Sequence, residues 1–182
     1  WFYRMVNTKR PLEEKMTLFW HGILATGWTK SEHTPTMVDH IQMLRTNCLA
    51  NLRTLLVETA KDPAMNYWLD NCENHATAVN ENWGRELLEL FSMGVGNYTE
   101  VDVRECSRAF TGWTIIPKLP RGPIGRHDWF FEYREDDHDD GEKTFLGVTG
   151  KVAGFSLTLG HFDYDNNEST SGNYGRAGYD FS

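Results

Sequence analysis

The 182-residue sequence contains no apolar run near the ~18–20 residues that a membrane-crossing helix needs, so no membrane span is expected. Cationic charge is scarce as well: 18 Lys and Arg stand against 26 Asp and Glu, for a formal net charge of −8. A field of that sign repels phosphate backbones, so no nucleic-acid partner is expected, and Lys118, Arg121 and Arg126 are too few to reverse it. Cysteine is limited to Cys48, Cys72 and Cys106, far apart and without a CxxC pair. That excludes a zinc knuckle and a disulfide-dense scaffold, and allows one bridge at most.

Several catalytic signatures are missing too. Ser92 sits in Leu-Phe-Ser-Met-Gly and Ser107 in Glu-Cys-Ser-Arg-Ala, neither of which is a nucleophile elbow. Gly94-Val95-Gly96 lacks the later glycine and the Lys-Ser/Thr pair of a phosphate loop. No Glu-x-x-His falls in the predicted helices and there is no His-Glu-x-x-His, so a metal site between helices would need convergence in the fold. Cys106 reads as a small buried hydrophobe. The chain opens at Trp1 with no Met and no signal-like lead-in, which reads as a fragment or processed product.

What is present describes a globular chain of about one domain, with 40% hydrophobic and 13% aromatic residues. The expected fold is mainly α: a bundle-like helical body over residues 1–112, a small β-hairpin region of the same domain over 113–159, and an irregular or disordered tail over 160–182. A helix should start at Pro11 and present Leu12, Met16, Phe19 and Ile23 to the core. His21 falls on the opposite face with Glu14 and Thr17, either exposed to water or turned to a second surface or cleft. Met37, Ile41, Leu44 and Cys48 mark a second helix, and Leu52, Leu55, Leu56 and Thr59 a third; Asp62 should cap a further turn from Pro63. His33, Asp39 and His40 lack partners at ligand spacing and read as structural or surface groups.

Between Asn80 and Phe91, Trp83, Leu87, Leu90 and Gly94 share one helical face, and Glu81, Arg85 and Glu89 form a ladder on the other. The helix should stop near Gly94 or Gly96, and Thr99 with Asp102 should cap the next, from Glu100 to Phe110, where Glu105 and Arg108 are spaced to pair. β-like pieces follow at Trp113 to Ile116, Trp129 to Tyr133 and Thr144 to Val148.

Two groups of residues could carry chemistry. In the acidic run Glu135 to Glu142, Asp136, His138, Asp139 and Asp140 are candidate ligands for a divalent cation such as calcium, since packed carboxylates repel and a cation relieves them. The position of a calcium loop's bidentate Glu is Gly147, so a true EF-hand is not expected. His21, Glu81 and Glu86 are the candidate catalytic groups, with Asn80 and Arg85 as binding residues, because imidazole and carboxylate are what activation of water requires.

Phe19-Trp20-His21, Asn80 to Phe91 continuing through Gly94 to Val103, Ala109 to Thr114, and His138 to Gly147 together resemble the bacterial domain-of-unknown-function family number eighteen hundred, over about residues 12–150. The resemblance implies a mainly helical, secreted or periplasmic bacterial protein, longer than this chain and without an established activity. It makes His21, Asn80, Glu81, Arg85, Glu86, His138 and Asp139 the polar members of matched motifs, with no roles attached. Two departures stand out: Ile23 where the family has a second histidine, and a Gly/Asn/Tyr-rich stretch beyond Gly150 where it continues in helix. The functional expectation is a hydrolase, with metal dependence drawn from the acidic loop. The alternative is a non-catalytic secreted binding or scaffold module, using Trp129, Phe130, Phe131 and Tyr133 as a contact surface.

Overall fold

A computed structural model describes residues 1–117 and 128–150; the tail expected over 160–182 lies outside the described residues. Within them the chain is mainly α, with eight α-helices and two small two-stranded sheets. It divides into two compact units, Trp1–Leu69 with Thr114–Glu132, and Asp70–Trp113 with the described residues from Tyr133 on.

The first unit holds α1 (Phe2–Asn7), α2 (Pro11–Ile23), α3 (Trp28–Ser31), α4 (Thr34–Asn47), α5 (Leu52–Lys61) and α6 (Pro63–Trp68). The Asp62 cap is where the sequence puts it, and Asn51 adds another. The Asn51 side chain accepts the Thr54 N–H at 2.8 Å to start α5, and Asp62 accepts the Met65 N–H at 2.9 Å to start α6. Leu24, Leu44, Cys48, Leu55, Leu56, Ala60, Ala64 and Met65 are buried among these helices. The larger of these side chains stabilise the unit by roughly 1.5–3 kcal/mol apiece through lost water contact.

Helix α2 has the expected limits but the opposite orientation. Leu12 and Phe19, expected in the core, are 60% and 53% exposed, while Glu14 and Thr17 are buried. The cause is a partner that periodicity cannot reveal. Arg45 on α4 donates to Glu14 from Nε at 2.8 Å and from a terminal nitrogen at 3.3 Å, Arg4 Nε donates at 2.7 Å and Trp1 Nε1 at 2.8 Å. A carboxylate with four N–H donors can be buried where a bare one could not. Arg45, first among these donors, holds the Glu14 carboxyl below its ordinary pKa against the opposing effect of burial.

The second unit holds α7 (Asn82–Glu86), a π-helical stretch over Leu87–Ser92, and α8 (Glu100–Ala109). Trp83, Leu87, Leu88, Val103, Cys106, Phe110, Trp113 and Phe145 form its core. Leu90, expected inward, is 61% exposed. The π turn is responsible: the Met93 N–H reaches the Leu88 carbonyl at 3.0 Å, five residues back, so the helix gains a residue and Leu88 turns inward. Gly94 ends it at φ +79°. Thr99 and Asp102 form the expected reciprocal cap of α8.

Strand β1 (Trp113–Pro117) pairs with β2 (Trp129–Tyr133). The single piece expected over Thr144 to Val148 is instead a hairpin: β3 (Lys143–Phe145) runs antiparallel to β4 (Val148–Gly150), with Phe145 opposite Val148. Leu146 and Gly147 both take positive φ, 48° and 78°, as the tightest two-residue hairpin turn requires.

Candidate functional site

The loop from Asp70 to Asn80 is fixed by buried asparagines. Asn71 Nδ2 donates to the Trp113 carbonyl at 3.0 Å, and Asn74 Nδ2 donates to the Ser107 carbonyl at 2.9 Å. Asn74 Oδ1 accepts the Asn80 N–H at 2.9 Å, and the Asn74 carbonyl accepts the Gly112 N–H at 3.1 Å. His75 and Ala78 then close a small backbone bridge, with bonds of 3.2 and 3.0 Å. His75 is thereby presented from a loop held by backbone and asparagine hydrogen bonds.

Asp137 reaches His75 from 62 residues away. It ends the 3₁₀ turn Glu135–Asp137, and its carbonyl accepts the Ala76 N–H at 3.1 Å. Gly112 makes this approach feasible. It has φ +75°, its carbonyl accepts the Arg134 N–H at 2.8 Å, and a Cβ there would lie 2.4 Å from the Arg134 carbonyl oxygen. Thr111 fixes the next residues, its hydroxyl accepting the Asp139 N–H at 2.8 Å and its carbonyl meeting His138 Nδ1 at 2.8 Å.

The result is a dyad. His75 Nδ1 donates to Asp137 Oδ2 at 2.5 Å, and the two side chains are 37% and 26% exposed. The Glu73 carboxylate lies 3.9 Å from His75 Nε2, beyond hydrogen-bond reach. Such an imidazole has its tautomer set by a carboxylate on one nitrogen, and the other nitrogen can accept a proton from water.

The residues expected from the sequence are placed as follows. His21 lies in the first unit, half-buried, edge-on to Trp1 at 5.3 Å and 6.0 Å from His40. Burial, and after it His40, lowers its pKa. Glu81 and Glu86 belong to the second unit. Glu81 pairs with Arg85 at 3.4 Å, and Arg85 is clamped by Glu100 at 2.6 and 3.0 Å. Glu86 is half-buried; burial first, then Glu89, raises its pKa. Asn80 Nδ2 donates to the Asp70 carbonyl at 3.3 Å, a loop-building contact.

Of the loop residues, Asp136 and Asp140 are exposed and His138 is buried. Asp139 accepts from Arg108 at 2.7 and 3.2 Å, and the buried Lys143 ammonium lies 3.9 Å from it. Arg108, first among its partners, holds the Asp139 carboxyl below its ordinary pKa. At Asp139, Arg108 and Lys143 supply positive charge from the protein itself. Among the described residues no group of three or more His, Cys, Asp or Glu gathers where it could hold a metal ion. Nor is any helix among them long and apolar enough to cross a membrane.

Sequence reasoning passes over His75 because Glu73-Asn74-His75 has no ligand spacing, and counts Asp137 only as one carboxylate in an acidic run. The one local signal is the Thr111-Gly112-Trp113 turn, where a glycine between two buried residues marks a close backbone approach.

A family model described as "Protein of unknown function (DUF1800)" matches residues 1–166, a longer span than the 12–150 of the sequence resemblance. No curated protein and no solved structure matches the chain.

Proposed function

The chain belongs to the DUF1800 family of proteins of unknown function, and on that footing we propose that it is a hydrolase in which His75 is the general base and Asp137 its positioning residue. The observation that carries this reading is the half-exposed imidazole, bound by a carboxylate on Nδ1 and open on Nε2. In the proposed step His75 Nε2 takes a proton from water as the water oxygen attacks an electrophilic carbon or phosphorus, and the imidazolium returns that proton to the leaving oxygen as its bond to the attacked atom breaks. The Asp137 carboxylate stabilises the imidazolium through Nδ1–H. Positioned base catalysis of this kind contributes ~10²–10⁴-fold in rate.

The test is a panel of chromogenic esters, phosphate esters and glycosides with the whole chain and with His75→Gln. Hydrolysis of one class, lost by ~10²-fold or more in His75→Gln, supports the proposal. No hydrolysis of any class, or equal rates in the variant, refutes it.

Calcium as a cofactor is a proposal with thinner support, the exposed carboxylates of Asp136 and Asp140. With Asp137 bound to His75 and Asp139 to Arg108, calorimetric titration is expected to show no binding tighter than ~10⁻⁴ M, the weak range of calcium sites. Export is likewise a proposal, resting on the family resemblance alone, and fractionation of cells producing the native protein tests it.

A further inference from the structure

The first unit carries a concavity that the proposed reaction does not use. Thr34, Pro35, Val38, Asp39, Asp128, Trp129 and Phe130 line an open cleft of about 510 Å³, the size of a small-molecule site. Its aromatic wall is built before any ligand arrives. The Trp129 ring stacks flat on His33, with centroids 4.5 Å apart and planes 5° from parallel, and packs against Tyr67 at 4.9 Å. Phe130 beside it is 41% exposed.

Among the described residues the charge lining the cleft has one sign. Its charged lining groups are Asp39 and Asp128, and among the described residues neither makes an ion pair or hydrogen bond. Burial raises the Asp39 pKa, and Asp128 and Asp62 raise it further by repulsion; only His33 acts the other way.

We propose that this cleft is a binding site for a small organic cation of the alkylammonium type, held by Asp39 and Asp128 against the aromatic side of the cleft, Trp129 and Phe130. A cation answers both features at once. It neutralises two carboxylates that repel each other, and its alkyl groups cover aromatic surface whose negative face attracts positive charge. A neutral polyol meets the aromatic wall but leaves the carboxylate charge uncompensated, and an anion is repelled.

The test titrates the whole chain with choline and with its neutral isostere 3,3-dimethyl-1-butanol, following the Trp129 indole N–H by NMR. Saturable choline binding, at least about fivefold weaker for the isostere and weakened by added salt, is the expected result. Asp128→Asn and Asp39→Asn should each weaken choline about threefold to tenfold, with circular dichroism reporting whether either variant has lost its fold. Should Asp39→Asn unfold, the exposed Asp128 and the salt dependence of the wild-type chain decide. Equal affinity for the isostere, tighter binding of a neutral disaccharide than of choline, or no shift at Trp129 overturns the proposal.

Discussion

Replacing Asp62 with Ala should unfold the first unit far more readily, because one carboxylate there does two jobs. Its Oδ2 accepts the Met65 N–H at 2.9 Å, capping α6, and faces His40 Nδ1 at 2.8 Å. Both partners of the pair are buried. His40 Nε2 donates to the Leu24 carbonyl at 3.0 Å, so removal of Asp62 strands Nδ1 in a dry site. Loss of the cap costs about 1 kcal/mol. Removing one partner of a buried pair costs about 3–5 kcal/mol, of which relaxation of the histidine recovers part. The expected total is about 3–5 kcal/mol, a third or more of the stability of an ordinary domain. Asp62→Asn keeps an oxygen for the cap and should cost about 1–2 kcal/mol. Urea unfolding followed by circular dichroism measures both, with the slope unchanged. A loss below about 1 kcal/mol for Asp62→Ala would refute the assignment of these two contacts.

Gly112→Ala should destabilise the second unit by at least about 2 kcal/mol and displace Asp137 from His75, since its Cβ would meet the Arg134 carbonyl at 2.4 Å; denaturation and the His75 ring shifts in NMR check both effects. For His21 the folded pKa lies below the ordinary 6.5, because burial and then His40 disfavour its charged form. The unfolded chain therefore binds the extra proton first, and stability is lost as pH falls from about 6.5 towards the lowered folded value, with no contribution above 6.5. In His21→Phe this slope should vanish. For Asp139, whose folded value is depressed chiefly by Arg108, the sign is the usual carboxylate one: its contribution is present above the ordinary 3.8 and lost as pH falls below it. Asp139→Asn should flatten that acid limb in a pH series of melting temperatures.

Local signals were readable where one segment contains its own explanation. The Asp62 cap, the Thr99 and Asp102 box and the Pro11 start all depend on residues within a few positions of each other. The orientation of α2 was not readable, because it depends on Arg45 meeting Glu14 from 31 residues away. A hydrophobic stripe locates the core only when no buried ion pair competes for it. The π turn after Glu86 misled in another way, by breaking the 3.6-residue period within a convincing amphipathic run. The acidic loop shows the same limit in the candidate site. Asp137 and Asp139 meet His75, Arg108 and Lys143, which lie on other segments or across a turn, so these partners cannot be read from the run itself.

The coupling between His75 and Asp137 is the most direct measure of the proposed mechanism. On whichever substrate the panel identifies, rates are compared for the wild-type chain, His75→Gln, Asp137→Asn and the double variant. If Asp137 acts through His75, each single change costs ~10²-fold or more and the double variant is no slower than His75→Gln alone. Losses that multiply in the double variant, or an Asp137→Asn enzyme as fast as the wild type, would contradict it.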